Sequence, residues 1–358
     1  MVSAMEPRKI LILRLSAVGD VLRTLLAVKA LKENYPSSHI VWIVEEPSKS
    51  LLESQPEIDE VILFPRRRWV EGIKSPRKMW RTMGEAWRFI LDIRRSRFDV
   101  VLDFHGIFKS GLLSFLSGSP VRVGFDRRTS REGSFLFSNV RVKLPQQRMN
   151  RFRKSFALLK AMDLEIKDFK YRLYIPPKDC EYVESFFNTL SVKFKRPWIA
   201  IHPGTSPKTL NKRWMSDRYA RLADRLIRDL NATVIFTWGP DELEQVKGIQ
   251  KEMEESSVLG PETESLTQLG EIYRRCNLYV GGDTGPMLIA AIMGIPTVVI
   301  FGGTDPVLYE PLGQHINVVK EVGCNPCREW SCSEVTCLEA ISVDDVFKAT
   351  REILSVTY

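Results

Sequence analysis

The chain has 358 residues, 44% hydrophobic and 27% charged, with a formal net charge of +8. That suits a soluble globular protein of two domains, each able to bury its own core. No apolar run approaches the roughly 20 residues that cross a bilayer, and residues 1–9 lack the apolar region of a signal peptide. A cytoplasmic location is therefore expected. The basic balance predicts acidic partners: nucleic acid, phosphorylated substrates or an anionic membrane surface.

Residues 8–14 (RKILILR) read as a strand buried in a parallel sheet, and Leu15-Ser-Ala-Val-Gly-Asp20 as the turn after it. An amphipathic helix to about Tyr35 follows, then strands at residues 39–44 and 61–64. Strand, helix, strand at this spacing predicts a Rossmann-like unit with right-handed crossovers. The turn is not G-x-G-x-x-G, which counts against a dinucleotide and so against a dehydrogenase. Asp20 has two compatible readings. One is a helix N-cap. The other is a carboxylate at the edge where open α/β sheets bind ligands.

From Pro65 the chain turns basic, starting with Arg66, Arg67 and Arg68, and a long helix runs to about Arg97. Residues 99–103 are a strand, and Phe104-His105-Gly106 leads into another helix. Between residues 60 and 155, 22 Lys or Arg stand against 8 Asp or Glu. This is either a solvated basic face or a site for an acidic substrate, since Arg forks suit phosphates and carboxylates. No helix-turn-helix, zinc-finger or RNA-sheet signature accompanies the charge, which argues against nucleic acid.

Tyr174-Ile-Pro-Pro177 marks a domain junction, giving an N-terminal domain of residues 1–175 and a C-terminal domain of residues 176–358. The second domain repeats the alternation. A strand at residues 198–201 ends in His202-Pro-Gly-Thr205, and a strand at residues 232–237 ends in Trp238-Gly-Pro-Asp-Glu242. Helices fall at residues 217–230, after Glu242 to about Glu255, and at 265–275. Leu278-Tyr-Val280 is a short strand. Gly281-Gly-Asp-Thr-Gly285 is a tight turn whose glycines tolerate backbone angles barred to other residues. Pro286 opens a buried helix, Gly294 ends it, and residues 296–301 are the next strand. A Gly-rich turn feeding a helix offers backbone N–H groups to an anion, most often a phosphate. A plain tight turn capped by Asp283 or Thr284 is the other reading. A closing amphipathic helix at residues 342–356 is expected, with room to pack back on the N-terminal domain.

Of six cysteines, Cys324, Cys327, Cys332 and Cys337 form C-x2-C-x4-C-x4-C. In a cytosolic chain this points away from a stable disulfide, to reduced thiols that pin a loop, with a metal site as the alternative.

Several of these motifs resemble glycosyltransferase family 9, the ADP-heptose:lipopolysaccharide heptosyltransferases. They are Leu15-Ser-Ala-Val-Gly-Asp20, His202-Pro-Gly-Thr205 with Lys212-Arg-Trp214, and Asp283-Thr-Gly-Pro-Met with Phe301-Gly-Gly-Thr-Asp-Pro306. Their order matches the family from about Lys9 onward. Arg66-Arg-Arg-Trp69, Thr129-Ser-Arg-Glu132 and the basic run at residues 148–153 are most similar to heptosyltransferase I. The cysteine cluster is also similar to one in many members. Leu288, Gly303 and Met149-Asn150 depart from the family pattern.

The resemblance implies a glycosyltransferase-B fold: α/β, with two Rossmann-like domains facing across a cleft. It implies inverting, metal-independent transfer of heptose from ADP-heptose to a Kdo-lipid A type acceptor, with no cofactor, at the anionic inner face of the cytoplasmic membrane. By position, Asp20 matches the catalytic base. Thr205, Lys212, Glu242, Asp283, Thr284 and Gly285 match the donor site, with Asp241 a rival to Glu242. Arg66, Arg67, Arg68 and Arg131 match acceptor contacts. The residue types suit the chemistry: sugar transfer needs a base for the acceptor hydroxyl and positive potential for the leaving diphosphate. The chain has no D-x-D triplet for a divalent cation. The alternatives are a family 9 enzyme with another sugar or acceptor, or a non-catalytic nucleotide-sugar-binding protein at the membrane surface.

Overall fold

The computed structural model describes residues 6–357 apart from 147, 165–171, 194–195, 207–208, 210–211, 328–331 and 333. The chain divides into two compact units, Met1–Phe169 and Lys170–Tyr358. Pro177 opens the first helix of the second unit, so the division precedes the Tyr174-Ile-Pro-Pro177 run.

In the first unit, β1 (Lys9–Leu13), β2 (His39–Val44), β3 (Glu60–Leu63), β4 (Val100–Asp103), β5 (Val121–Phe125) and β6 (Val140–Val142) form one sheet. The order is β3-β2-β1-β4-β5-β6, every pair parallel. The helices are α1 (Val18–Asn34), α2 (Lys49–Glu53), α3 (Arg66–Lys74), α4 (Pro76–Arg95), α5 (Phe108–Leu116) and α6 (Arg151–Leu159). Ile10 to Leu13 and Ile40 to Val44 are fully buried, as strands covered on both faces must be.

The second unit repeats the plan with β7 (Trp198–His202), β8 (Thr233–Phe236), β9 (Val258–Leu259), β10 (Leu278–Gly282), β11 (Thr297–Phe301) and β12 (His315–Val319). Their order is β12-β11-β10-β7-β8-β9, again all parallel. Its helices are α7 (Pro177–Lys193), α8 (Ser216–Leu230), α9 (Leu243–Glu252), α10 (Leu266–Arg275), α11 (Gly285–Ile292), α12 (Pro306–Tyr309), α13 (Thr336–Glu339) and α14 (Val343–Thr357). The closing helix α14 lies on α8, β11 and β12 of its own unit, with the Arg225 guanidinium 3.9 Å from the Phe347 ring centroid.

Each sheet therefore has one place where the winding reverses: between β1 and β4, and between β7 and β10. Helices leave these two strands toward opposite faces, which opens a crevice at their carboxyl ends.

Three local features differ from the sequence expectation. The long basic helix is two helices, because Pro76 has no N–H with which to continue α3 and instead begins α4. The edge strands β6, β9 and β12 are only partly buried and, like the inner strand β5, carry no long apolar run. The glycines at β10 serve a different purpose from the one expected. The strand runs through Gly282, and none of Gly281, Gly282 or Gly285 has a positive φ. What Gly281 provides is space: a Cβ there would lie 2.4 Å from Tyr279 Oη and 2.9 Å from the His202 carbonyl oxygen. At Gly285 a Cβ would meet nothing within 4 Å, so its backbone is open to an approaching group.

Gly281→Ala is accordingly expected to destabilise the second unit by about 1–3 kcal/mol through overpacking against β7. Urea denaturation would show it as a lowered midpoint; an unchanged midpoint would mean that the sheet yields freely at this point.

Candidate active site

At the first switch point, Leu13 of β1 pairs with Asp103 of β4. Arg14 and His105 thus emerge side by side from neighbouring strands. Helix α1 begins at Val18 with Ala17 in the N-cap position, so Asp20 is the third helical residue and not the cap. The N-cap reading of Asp20 is corrected by this geometry. Its carboxylate instead accepts from three guanidinium groups. Arg14 Nη2 bonds Oδ2; Arg23 Nη1, one turn on, lies 3.3 Å from Oδ1; Arg151 Nη1 lies 3.1 and 3.2 Å from the two oxygens.

Each arginine is positioned by the fold. The Trp42 indole N–H donates to the Arg14 carbonyl at 3.1 Å, and Arg14 Nη1 donates to the Phe104 carbonyl at 2.9 Å. Arg151 opens α6, whose N-terminus is capped by Asn150 accepting from the Phe152 N–H at 2.9 Å. Burial works against the charge on Asp20, but Arg14, Arg151 and Arg23 outweigh it and hold the carboxyl far below its ordinary value.

Three more titratable groups stand near by. Burial pushes the Asp103 carboxyl up to about 6, against the N–H groups of Gly106 and His105 and the Ser110 hydroxyl, all of which donate to it. Burial, with Arg14, pulls His105 down to about 3. The Leu15 N–H donates to His105 Nδ1 at 3.2 Å, so the neutral ring carries its proton on Nε2. Burial, with Arg151, Arg14 and Arg131, lowers Lys154 to about 8; its Nζ sits 4.5 Å from the Phe125 ring centroid. Arg131 is exposed, but its N–H bonds the Gly106 carbonyl at 2.8 Å and its charge acts on both His105 and Lys154.

The Arg66, Arg67 and Arg68 run, at the start of α3, is exposed. Arg66 reaches Glu45 at 3.7 Å, and Glu45 donates its N–H to the Leu15 carbonyl, so Arg66 approaches the same edge. Arg68 does not; it bonds Glu85 on α4 at 2.6 Å.

At the second switch point, Gly281 of β10 pairs with His202 of β7. His202 is buried between Thr237 Oγ1 (3.0 Å from Nδ1) and Glu242 Oε2 (3.2 Å from Nε2). Glu242 also accepts from the Gly239 N–H at 2.8 Å. Its burial opposes the charge, but the His202 and Gly239 bonds prevail and lower its pKa, so it is a carboxylate at neutral pH. A Cβ at Gly204 would lie 2.1 Å from that carboxylate, which explains the glycine. Thr205 is buried, its hydroxyl donating to the Thr209 carbonyl. Lys212 Nζ lies 3.2 Å from Asp283 Oδ2 and 5.6 Å from the Tyr309 ring centroid. Thr284 is the N-cap residue of α11, with Pro286 in the first turn, so the partly exposed Thr284–Gly285 backbone stands at the positive end of a helix.

The fold thus gathers Lys212, Asp283, Thr284 and Gly285 at one strand end and Thr205, His202 and Glu242 at the next. Sequence reading gave no site role to Arg14, Arg23, Arg151, His105 or His202, although His202 and Arg151 lie within runs it quoted. Arg14, His105 and His202 had a signal, lying at or just past the ends of the strands beside each switch point. Arg151 stood out only as part of the basic run at residues 148–153, and nothing in the sequence tied it to Asp20, 131 residues away. Among the described residues no group of three or more His, Cys, Asp or Glu side chains is placed to share a metal ion. Cys324, Cys327, Cys332 and Cys337 are free thiols, and Cys327 Sγ would lie 2.6 Å from a Cβ at Gly303.

A family model described as "Glycosyltransferase family 9 (heptosyltransferase)" matches residues 86–337. The lipopolysaccharide core heptosyltransferase OpsX of Haemophilus influenzae is 28% identical over 90% of this chain and 87% of its own. Among solved structures, the glycosyltransferase family 9 protein of Veillonella parvula superposes with a TM-score of 0.75 at 22% identity, covering 98% of this chain and 97% of that one. The Escherichia coli heptosyltransferase WaaC with ADP-2-deoxy-2-fluoro heptose gives 0.72 at 20% identity, covering 96% and 99%. These structural likenesses show the fold, the glycosyltransferase-B pairing of two Rossmann-like domains.

His105 is expected to stay neutral, as the Nε2–H tautomer, at every pH down to about 4, because its folded pKa is about 3. The unfolded ring takes up a proton below about 6.5, so this group removes stability as pH falls between those values. Nitrogen-15 imidazole shifts would report the tautomer; a titration near 6.5 in the folded protein would contradict the assignment.

Proposed function

The chain belongs to glycosyltransferase family 9, and on that footing we propose that it transfers heptose from ADP-heptose to the Kdo region of a lipopolysaccharide inner core, with inversion and without a metal ion. The observation that carries this reading is the contrast between the two switch points. One holds a carboxylate ringed by arginines; the other holds an accessible helix N-terminus beside a lysine and two carboxylates.

The second unit suits the donor. The α11 N-terminus at Thr284 and Gly285 offers N–H groups and a positive dipole end to a diphosphate. Lys212 exchanges part of its contact with Asp283 for the phosphates, and this positive potential takes up the charge that builds on the leaving group. Glu242, charged and fixed by His202 and Gly239, accepts from ribose hydroxyls. Asp283 is left to bind the sugar, and Thr205 completes the wall.

The first unit suits an acidic acceptor. Lys154 lies within the field of Asp20 and of Arg131, Arg66 approaches the same sheet edge through Glu45, and these cations fit the carboxylates of Kdo. Asp20 is the base. Three arginines make it a weak one, which is sufficient for this reaction. As the acceptor oxygen bonds to the anomeric carbon it becomes an oxonium, acidic enough to lose its proton to a weak carboxylate. A protein that only binds nucleotide sugars has no use for such a carboxylate. The acceptor is met at the cytoplasmic face of the inner membrane; among the described residues no helix is long and apolar enough to cross one.

Asp20→Asn should lower turnover about 10²–10⁴-fold, the usual scale of general-base catalysis. It also removes the counter-charge of three guanidinium groups, so some stability is lost with it. ADP affinity, which belongs to the other unit, should be unchanged and reports that the variant is folded. Near-normal heptose transfer by Asp20→Asn would exclude the base role. Lys212→Ala should weaken ADP binding by about 1.5–3 kcal/mol, the range of a charge-assisted contact. Calorimetry in chelator measures both the loss and the binding without metal; equal affinity in the variant would remove Lys212 from the donor site.

A further inference from the structure

Helices α3 and α4 form a hairpin whose inner and outer faces are both apolar. Inside, Phe64, Trp69 and Phe89 pack edge to face, with ring centroids 5.2, 5.3 and 5.9 Å apart. Thr82 and Ile93 of α4 are buried on the same side, and a Cβ at Gly72 would fall 2.1 Å from Thr82 Oγ1, so the two helices meet closely. This inner stripe accounts for the stability of the hairpin.

The outer stripe has no such explanation. Trp80 is 74% exposed, Trp87 60% and Met83 51%. At three- and four-residue spacing these side chains share one face of α4. Val70 and Ile73 of α3 are exposed as well. Large aromatic side chains are rarely left in water at this level, and several on one face mark an interaction surface. Charge selects the partner. From residue 66 to 95 the hairpin carries 10 Lys or Arg against 3 Asp or Glu. Arg77, three residues before Trp80, and Arg81 and Arg88, each directly after a tryptophan, are all exposed and border the stripe. Exposed tryptophans flanked by cations are the composition of a helix that lies in a bilayer interface.

We propose that the outer face of the α3–α4 hairpin docks on an anionic phospholipid surface, with Trp80, Met83 and Trp87 entering the headgroup layer and the flanking arginines meeting lipid phosphates. The choice of a membrane rests on the acceptor reading above, but the residues named are distinct from the Asp20 cluster. Docking here leaves the carboxyl-end edge, which Arg66 approaches, as a separate feature of the same unit, so a lipid-anchored acceptor is met by a protein already held at its surface.

The test is co-sedimentation of the full chain with vesicles. Wild-type protein is expected to bind vesicles containing phosphatidylglycerol, to bind phosphatidylcholine vesicles much less, and to lose affinity as salt rises. The double variant Trp80→Ala/Trp87→Ala should fall about tenfold or more in vesicle partition. Its melting temperature and ADP affinity should stay as in wild type, since both side chains lie outside the core. Arg77→Glu/Arg81→Glu/Arg88→Glu should abolish the preference for anionic lipid. The proposal is overturned if wild type ignores anionic vesicles, or if the tryptophan variant binds them equally well. It is also overturned if gel filtration shows a dimer that the same variant splits, because the face would then belong to a second copy. Heptose transfer to a detergent-dispersed acceptor separates this question from the enzymatic one. Vesicle binding without transfer would reject the substrate reading alone; transfer without vesicle binding would reject the docking face alone.

Discussion

A parallel sheet has to be wound with crossover helices on its faces, so its strands are buried on both sides and only their ends can hold polar groups. Twelve strands in two sheets obey that constraint here, and the same reversal of winding occurs in each. Where β1 meets β4 and where β7 meets β10, the helices diverge and the carboxyl ends open. Asp20, Arg14 and His105 collect at the first opening, His202, Lys212, Asp283 and Gly285 at the second. Neither group is contiguous in the chain. Each is assembled because strands distant in sequence become neighbours in register.

The two openings are electrostatic opposites in design. In the first, fixed cations surround one carboxylate and keep it charged, while burial and the same cations keep His105 neutral and weaken the proton affinity of Lys154. An anionic ligand entering there meets positive potential that is already in place and costs little reorganisation. In the second, carboxylates dominate the side chains and the positive element is mainly backbone: the N-terminus of α11, with Lys212 held by Asp283. That contact holds the lysine at the strand end, beside the same helix N-terminus. The glycines there are explained by contact. Gly204 and Gly281 let Glu242, Tyr279 and the β7 backbone come close, and Gly285 leaves room in front of the helix.

Much of the fold was legible in the sequence because it depends on local pattern. Apolar runs such as Ile10 to Leu13 and Thr297 to Phe301 can only be central strands in a chain that alternates them with amphipathic helices. Two Rossmann-like halves follow from that alternation, and Asp20, Lys212 and Asp283 fall at positions that such a sheet makes available. The edge strands β6 and β12 escaped notice, since half-buried strands lack a run to detect. Pro76 was visible as a helix breaker, yet it divides a helix whose apolar pattern runs on across it.

What only the tertiary structure decided is which charges meet. The sequence shows many arginines between residues 60 and 155 but does not say that Arg151 reaches Asp20 while Arg68 turns to Glu85. Nor does it separate the partly buried Trp69 ring from the exposed Trp80 and Trp87 rings, which differ in burial only because of the helix face each occupies. Hydrophobic periodicity is a property of neighbours in sequence, and it marked out the central strands, the helices and the carboxyl-end edge of each sheet. Ion pairing and exposure are properties of neighbours in space, set by register and packing, and for those the folded chain was needed.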